Sequence, residues 1–400
     1  MRTKLLLILA LLLTACAQRQ PETLVVVPPT AKPTTAPTNT VAPTVLPPTE
    51  TPEPLPTATP EPEGTGGGGV DTFVILANLR TDPAQLIVAD PVTGDTISTF
   101  TAVGLTELST VKVGGPFIFY LDSNTQKIMR VGFDGSATQL TFITEGLDYF
   151  PGDFLPSPDG TLIAWGTNTF DPAGGNATRS LLKVANVDGS DEKVIYDETL
   201  DEESILPQPI QWSPDGSTFY YTDLPYGIGG YILFGGGPDL KKVDVASGAV
   251  TEVLPKTGCL CAMTVSPDGG MVASITGAGP LELLLHHVET GNERKLEIDA
   301  GHLQGGNILW SADGKTLLYT MAVSNFDNPE AEKYAVVKVN VETLEQTVMV
   351  ADNESLYNTM MWVSDETVWL NDKDGNAWMM NAGTGGVKEA EAGFRVVRDR

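Results

Sequence analysis

Side chains suited to catalysis or metal binding are scarce in this chain. Four hundred residues contain three histidines and three cysteines. His286 and His287 are adjacent in a strand-like apolar run, so their rings point to opposite faces and cannot share one ion. His302 follows Gly301 in a loop, where it could pair with nearby carboxylates for general acid–base work. Cys259 and Cys261 stand one residue apart, a spacing open to a strained redox pair, two buried thiols or a quiet local disulfide. Asp372-Lys-Asp374-Gly-Asn376 has oxygens at alternate positions, as half a calcium loop would, but lacks the downstream acidic ligand. A hairpin turn accounts for it fully. No Gly-x-Ser-x-Gly elbow is present, and neither Gly66–Gly69 nor Gly235–Gly237 continues into the lysine of a phosphate-binding loop. The expectation is a protein without cofactor or metal, and not an enzyme. The alternative is a propeller enzyme, a hydrolase or lyase, with carboxylates and His302 at a channel mouth.

What must position these residues is a repeat. Ser-Pro-Asp-Gly occurs at 157–160, 213–216 and 266–269, with Ser311-Ala-Asp-Gly314 a near copy and Ser364-Asp-Glu366 a worn one. Proline pre-sets the second turn position and glycine takes the positive φ that closes the hairpin. A second series of turns runs through Thr93-Gly94, Asp134-Gly135, Asp188-Gly189, Ser247-Gly248, Thr290-Gly291, Thr343-Leu344 and Thr384-Gly385. Short apolar runs flank each turn, such as Leu181-Leu-Lys-Val-Ala185. Every module then reads as four strands, a to d, with Gly114-Gly115-Pro116 replacing the first turn in module two. Units of this size argue a repeat architecture.

Four-stranded units at this spacing match the blades of a β-propeller. The turn and its flanks resemble the TolB-type, WD-repeat-like propeller family over residues 71–400. That resemblance implies an all-β propeller and says little about function. TolB-type propellers usually have six blades, whereas seven turns favour seven. Module one begins at Phe73-Val-Ile-Leu-Ala77 without a strand a, Val387-Lys-Glu-Ala390 supplies the last strand d, and Phe394-Arg-Val-Val397 is left over. Placing the last segment as strand a of blade one closes the ring and hides its edges.

Residues 1–70 differ in kind. Arg2 and Lys4 precede the apolar stretch Leu5–Leu13, too short to span a bilayer and suited to an export signal. Leu13-Thr14-Ala15-Cys16 resembles the bacterial lipoprotein lipobox, which implies cleavage before Cys16 and lipidation of its thiol. Residues 21–63 hold 13 Pro, 11 Thr and no aromatic residue, a composition for a disordered, extended linker. The predicted domains are therefore a signal peptide (1–15), a lipidated cysteine with linker (16–70) and a propeller (71–400). Net charge is −27; this excludes a nucleic-acid partner and any membrane contact except the anchor.

With strand a innermost, the tight a–b and c–d turns share one face, and the b–c and d–a loops share the other. The long connections, 145–153, 168–179, 198–207, 224–238 and 323–333, all fall on this second face, where binding residues gather on a rigid scaffold. Its aromatic and acidic residues are Tyr149, Asp153, Phe170, Asp171, Tyr226, Tyr231, Phe234, Phe326 and Asp327, with His302 beside them. The glycine-framed 224–238 insertion reads equally as an adaptable contact surface or as a hairpin packed onto the blade. The expected partner of this monomer is an envelope or extracellular protein, peptide or glycan, met outside the cytoplasm at the outer face of the membrane or in the periplasm.

Overall fold

The structure is a computed structural model that describes residues 73–397, apart from 108, 144–153, 171–176, 201–204, 226–232, 234–235, 257–260, 277–280, 299–300, 324–332 and 365. Cys16, the signal peptide and the linker lie outside the described residues. Among the described residues there is no helix, and the strands form seven antiparallel sheets. Six sheets have four strands, and the sheet of blade five has a fifth. This is a seven-bladed β-propeller, so seven blades rather than six.

Blade three shows the module: Phe154–Pro156, Leu162–Phe170, Ala177–Asn186 and Lys193–Thr199 as strands a to d. Its a–b turn is held by one carboxylate. Asp159 Oδ1 accepts from Ser157 Oγ at 2.6 Å and from the Thr161 amide at 3.0 Å, while Ser157 Oγ accepts the Leu162 amide at 2.9 Å. Gly160 takes φ 71°, where any other residue would be strained. Asp215, Asp268 and Asp313 repeat this network in blades four to six. In the c–d series the same left-handed position is filled at all seven turns, six times by glycine and once by Leu344, φ 62°.

These bonds hold the turn carboxylates below the usual range. Asp215 falls to about 2 through the hydrogen bonds of Ser213 and Ser217. Asp268 and Asp313 are lowered by Ser266 and Ser311, and in Asp159 the donors outweigh burial. A lowered carboxylate stabilises the fold above its unfolded pKa, and that stability is lost as pH falls through the folded value. The melting temperature is therefore expected to drop steeply between about pH 4 and pH 2; Asp215→Asn should flatten part of that slope. Calorimetry across this range checks it, and an unchanged slope in the variant would count against the turn network.

Side chains between neighbouring sheets form the core. Among the described residues seven of the eight buried apolar clusters are each drawn from two adjacent blades, one for every seam of the ring. The seam between blades seven and one contains Trp369, Met361, Val74 and Val396. The closing strand is Arg395–Val396, paired antiparallel with Leu76 and Ala77 of blade one. Asn371 of blade seven secures it as a backbone unit would: Nδ2 donates to the Val396 carbonyl at 2.9 Å and Oδ1 accepts its amide at 2.8 Å. Gln211 does the same from blade four, with Nε2 to the Val265 carbonyl at 2.8 Å and Oε1 from the Val265 amide at 2.9 Å. Indole N–H groups bridge further seams, Trp212 to Leu155 and Trp369 to Pro91.

Several connections are shorter than the sequence suggests. Strand b of blade three runs to Phe170, and strand a of blade four spans Ile205–Trp212 and includes Pro207 and Pro209. The first strand of a blade has a free edge toward the channel, so a proline there need not break a ladder.

Candidate binding face

On the long-loop face, the predicted residues Tyr149, Asp153, Asp171, Tyr226, Tyr231, Phe234, Phe326 and Asp327 lie outside the described residues. Phe170 and His302 are described. Phe170 ends strand b of blade three, half-buried opposite Ala177. His302 is buried, and its Nε2 lies 2.9 Å from Asp352 Oδ1 on strand d of blade six. Among the described residues no group of His, Cys, Asp and Glu is placed to hold a metal ion. His286 faces Glu293 at 3.6 Å, and Asp372 directs its oxygens to the Asp374 and Asn376 amides and the Trp378 indole of its own hairpin. Cys261 takes part in a disulfide, and Cys259 lies outside the described residues.

Part of the blade-four insertion is packed down. Gly236–Gly237 pairs with Ala262 and Cys261, on the channel-side edge of blade five, and forms that sheet's fifth strand. Leu233 is buried, donates its amide to Gln304 Oε1 at 3.2 Å and packs on Ala322 and Tyr334 of blade six. Chain from blade four thus reaches blades five and six along their inner edges.

Just beyond this strap lies a polar group that sequence reading missed. Asp239, almost wholly buried, accepts from Thr222 Oγ1 at 3.2 Å, the Asp223 amide at 2.9 Å and Lys241 Nζ at 2.7 Å. Lys241 Nζ also reaches Asp223 Oδ2 at 2.5 Å, so one ammonium serves two carboxylates. Burial raises Asp223 above the usual carboxylate range despite Lys241, and its Oδ1 is buried without a hydrogen-bond partner. Lys241 is itself raised: its bonds to the two aspartates outweigh desolvation. Burial also pushes the adjacent Tyr221 up to about 12. Asp239, with three donors, therefore anchors the cluster, and Asp223 relies on Lys241. Asp239→Ala is expected to cost about 3 kcal/mol, because it takes the acceptor from the Thr222 hydroxyl and the Asp223 amide. Asp223→Asn should cost under about 1 kcal/mol at pH 7, since Lys241 keeps Asp239. Denaturant titration of the two variants checks the order, and equal losses would contradict it.

A cleft of about 360 Å³ opens on the other, tight-turn face between blades four and five, lined among others by Asp215, Tyr220, Lys242 and Asp268. The buried cluster at this seam is small, with Tyr220, Leu240, Val265 and Val272.

No protein-family model matches the chain, and no curated protein matches it in sequence. Solved structures share its fold. An oligogalacturonate lyase in complex with manganese aligns at 15% identity and TM-score 0.51, over 80% of this chain and 83% of that one. A proposed 6-phosphogluconolactonase from Bacteroides fragilis aligns at 14% identity and TM-score 0.51, over 82% and 97%. TolB from Acinetobacter baumannii aligns at 13% identity and TM-score 0.41, over 81% and 82%. At such identities the likeness concerns fold alone, and the fold is a β-propeller. The expectation that the chain is not an enzyme does not stand. Proteins named as a lyase and a lactonase share this propeller, so the fold leaves catalysis open.

Proposed function

We propose that this chain is an exported, lipid-anchored β-propeller that binds an envelope or extracellular protein, peptide or glycan through its long-loop face. The observation supporting this most is a ring closed by its own C-terminal strand, a rigid platform on which the sequence puts the longest connections on one side. The sequence adds the means of placing it. Residues 1–15 direct export, Cys16 takes the lipid, and the Pro/Thr segment to residue 70 holds the propeller, 71–400, away from the membrane. The formal charge of −27 favours a partner with a basic or neutral contact surface.

Two experiments test the proposal. Mass spectrometry of the mature protein should find an N-terminus at Cys16 bearing a diacylglycerol, and Cys16→Ser should release the chain from the membrane fraction. An intact N-terminus in the membrane fraction would reject the anchor. Affinity capture from envelope extracts should then be lost when Tyr149, Phe170 and Phe326 are together replaced by serine. Capture that persists unchanged would reject the face.

A further inference from the structure

Among the described residues, blade five differs from the other six in having an extra strand on the channel side of its strand a. The innermost strand of a blade leaves backbone N–H and C=O groups facing the channel, an edge open to another extended chain. In blade five that edge is taken by Gly236–Gly237 from blade four, in register with Ala262 and Cys261. Space there is made for glycine alone. A Cβ on Gly236 would lie 1.3 Å from the Cys261 carbonyl oxygen, and one on Gly237 would lie 1.7 Å from Thr222 Oγ1. Leu233, upstream by three residues, fills an apolar pocket of Ala322 and Tyr334. Its carbonyl passes so near blade six that a Cβ on Gly306 would lie 2.4 Å from it. Backbone pairing plus one side-chain pocket is the recognition pattern of strand addition.

We propose that the channel-side edge of blade five and the Leu233 pocket form a peptide-accepting groove, which the chain's own strap occupies in this structure. Its ligand is an extended segment with a leucine-sized apolar residue followed, three and four positions later, by two glycines. The strap is then a competitor that such a partner segment must displace. This deepens the binding function proposed above and rests on it.

The test uses the full chain and a fluorescent peptide of residues 231–240. Leu233→Asp in the chain puts a charge into the apolar pocket and should free the edge. The peptide is expected to bind this variant at least about tenfold more tightly than it binds the wild type. The same peptide carrying L233D should bind neither. Equal affinity for both chains, or a folded variant that binds no peptide, would overturn the proposal. Should the variant fail to fold, hydrogen exchange on the wild type decides. The Leu233 and Gly237 amides should exchange through local opening, faster than those of Val272 and Ala273 in the same blade. Exchange of all four only on global unfolding would show that the strap is a fixed stitch and overturn the proposal. Neither readout needs a natural partner, so failure here leaves the capture experiment on Tyr149, Phe170 and Phe326 as a separate test of the binding face.

Discussion

Replacing Asn371 by leucine is expected to lower the unfolding free energy by about 3 kcal/mol, as read from denaturant titration. The side chain is buried and spends its carboxamide on the Val396 amide and carbonyl. Leucine keeps the branched outline of the side chain with bulkier ends, and two backbone groups of the closing strand lose their partner. A buried polar group left unpaired costs about 1–3 kcal/mol. Asn371→Asp is the useful control, because it retains the acceptor for the Val396 amide but turns a second acceptor toward its carbonyl. It should recover only part of the loss. If the leucine variant melts with the wild type, Asn371 does not hold the seam.

The second large effect belongs to Trp369, on strand b of blade seven. Its ring is fully buried, and its indole N–H donates to the Pro91 carbonyl of blade one at 2.7 Å. Trp369→Ala removes a large part of the blade seven–one core, which also holds Val74, Met361 and Val396. A loss of about 3–5 kcal/mol is expected. Trp369→Phe keeps most of the apolar contact and gives up the hydrogen bond, so its cost should be nearer 1–2 kcal/mol. Because Val396 touches both sites, the Trp369→Ala and Asn371→Leu losses should not add: once one has loosened the closing strand, the other has less to remove. An additive double variant would mean that the two residues act in separate parts of the ring.

The parts legible in the sequence were those specified locally. Ser157 to Gly160 carries its own turn chemistry, and the copies at 213, 266 and 311 have the same carboxylate network. Counting the c–d turns gave seven blades, even where Leu344 stands in place of glycine. The surplus Phe394–Val397 segment pointed to ring closure, and Arg395–Val396 is the strand that provides it. What stayed hidden depends on partners distant in the chain. Gln211 and Asn371 bond to backbone atoms 54 and 25 residues away, and backbone carries no sequence signature. The two-residue strand Gly236–Gly237 has no periodicity to read, so its glycines resembled a flexible loop when they are in fact a close backbone fit. The Asp223–Asp239–Lys241 cluster was similarly concealed, since it joins the end of one strand to the start of another across an insertion. A proline-bearing segment such as Ile205–Trp212 read partly as loop because an inner edge tolerates residues that a central strand does not.

Everything proposed for the binding face presumes that blade one borrows its innermost strand from the far end of the polypeptide. Hydrogen exchange at the Val396 and Val397 amides measures this directly, since the first donates to Asn371 and the second to the Ile75 carbonyl. Protection matching that of the Ile75 and Leu76 amides is the predicted result. Exchange at the rate of an unstructured peptide, while the other sheets remain protected, would contradict it.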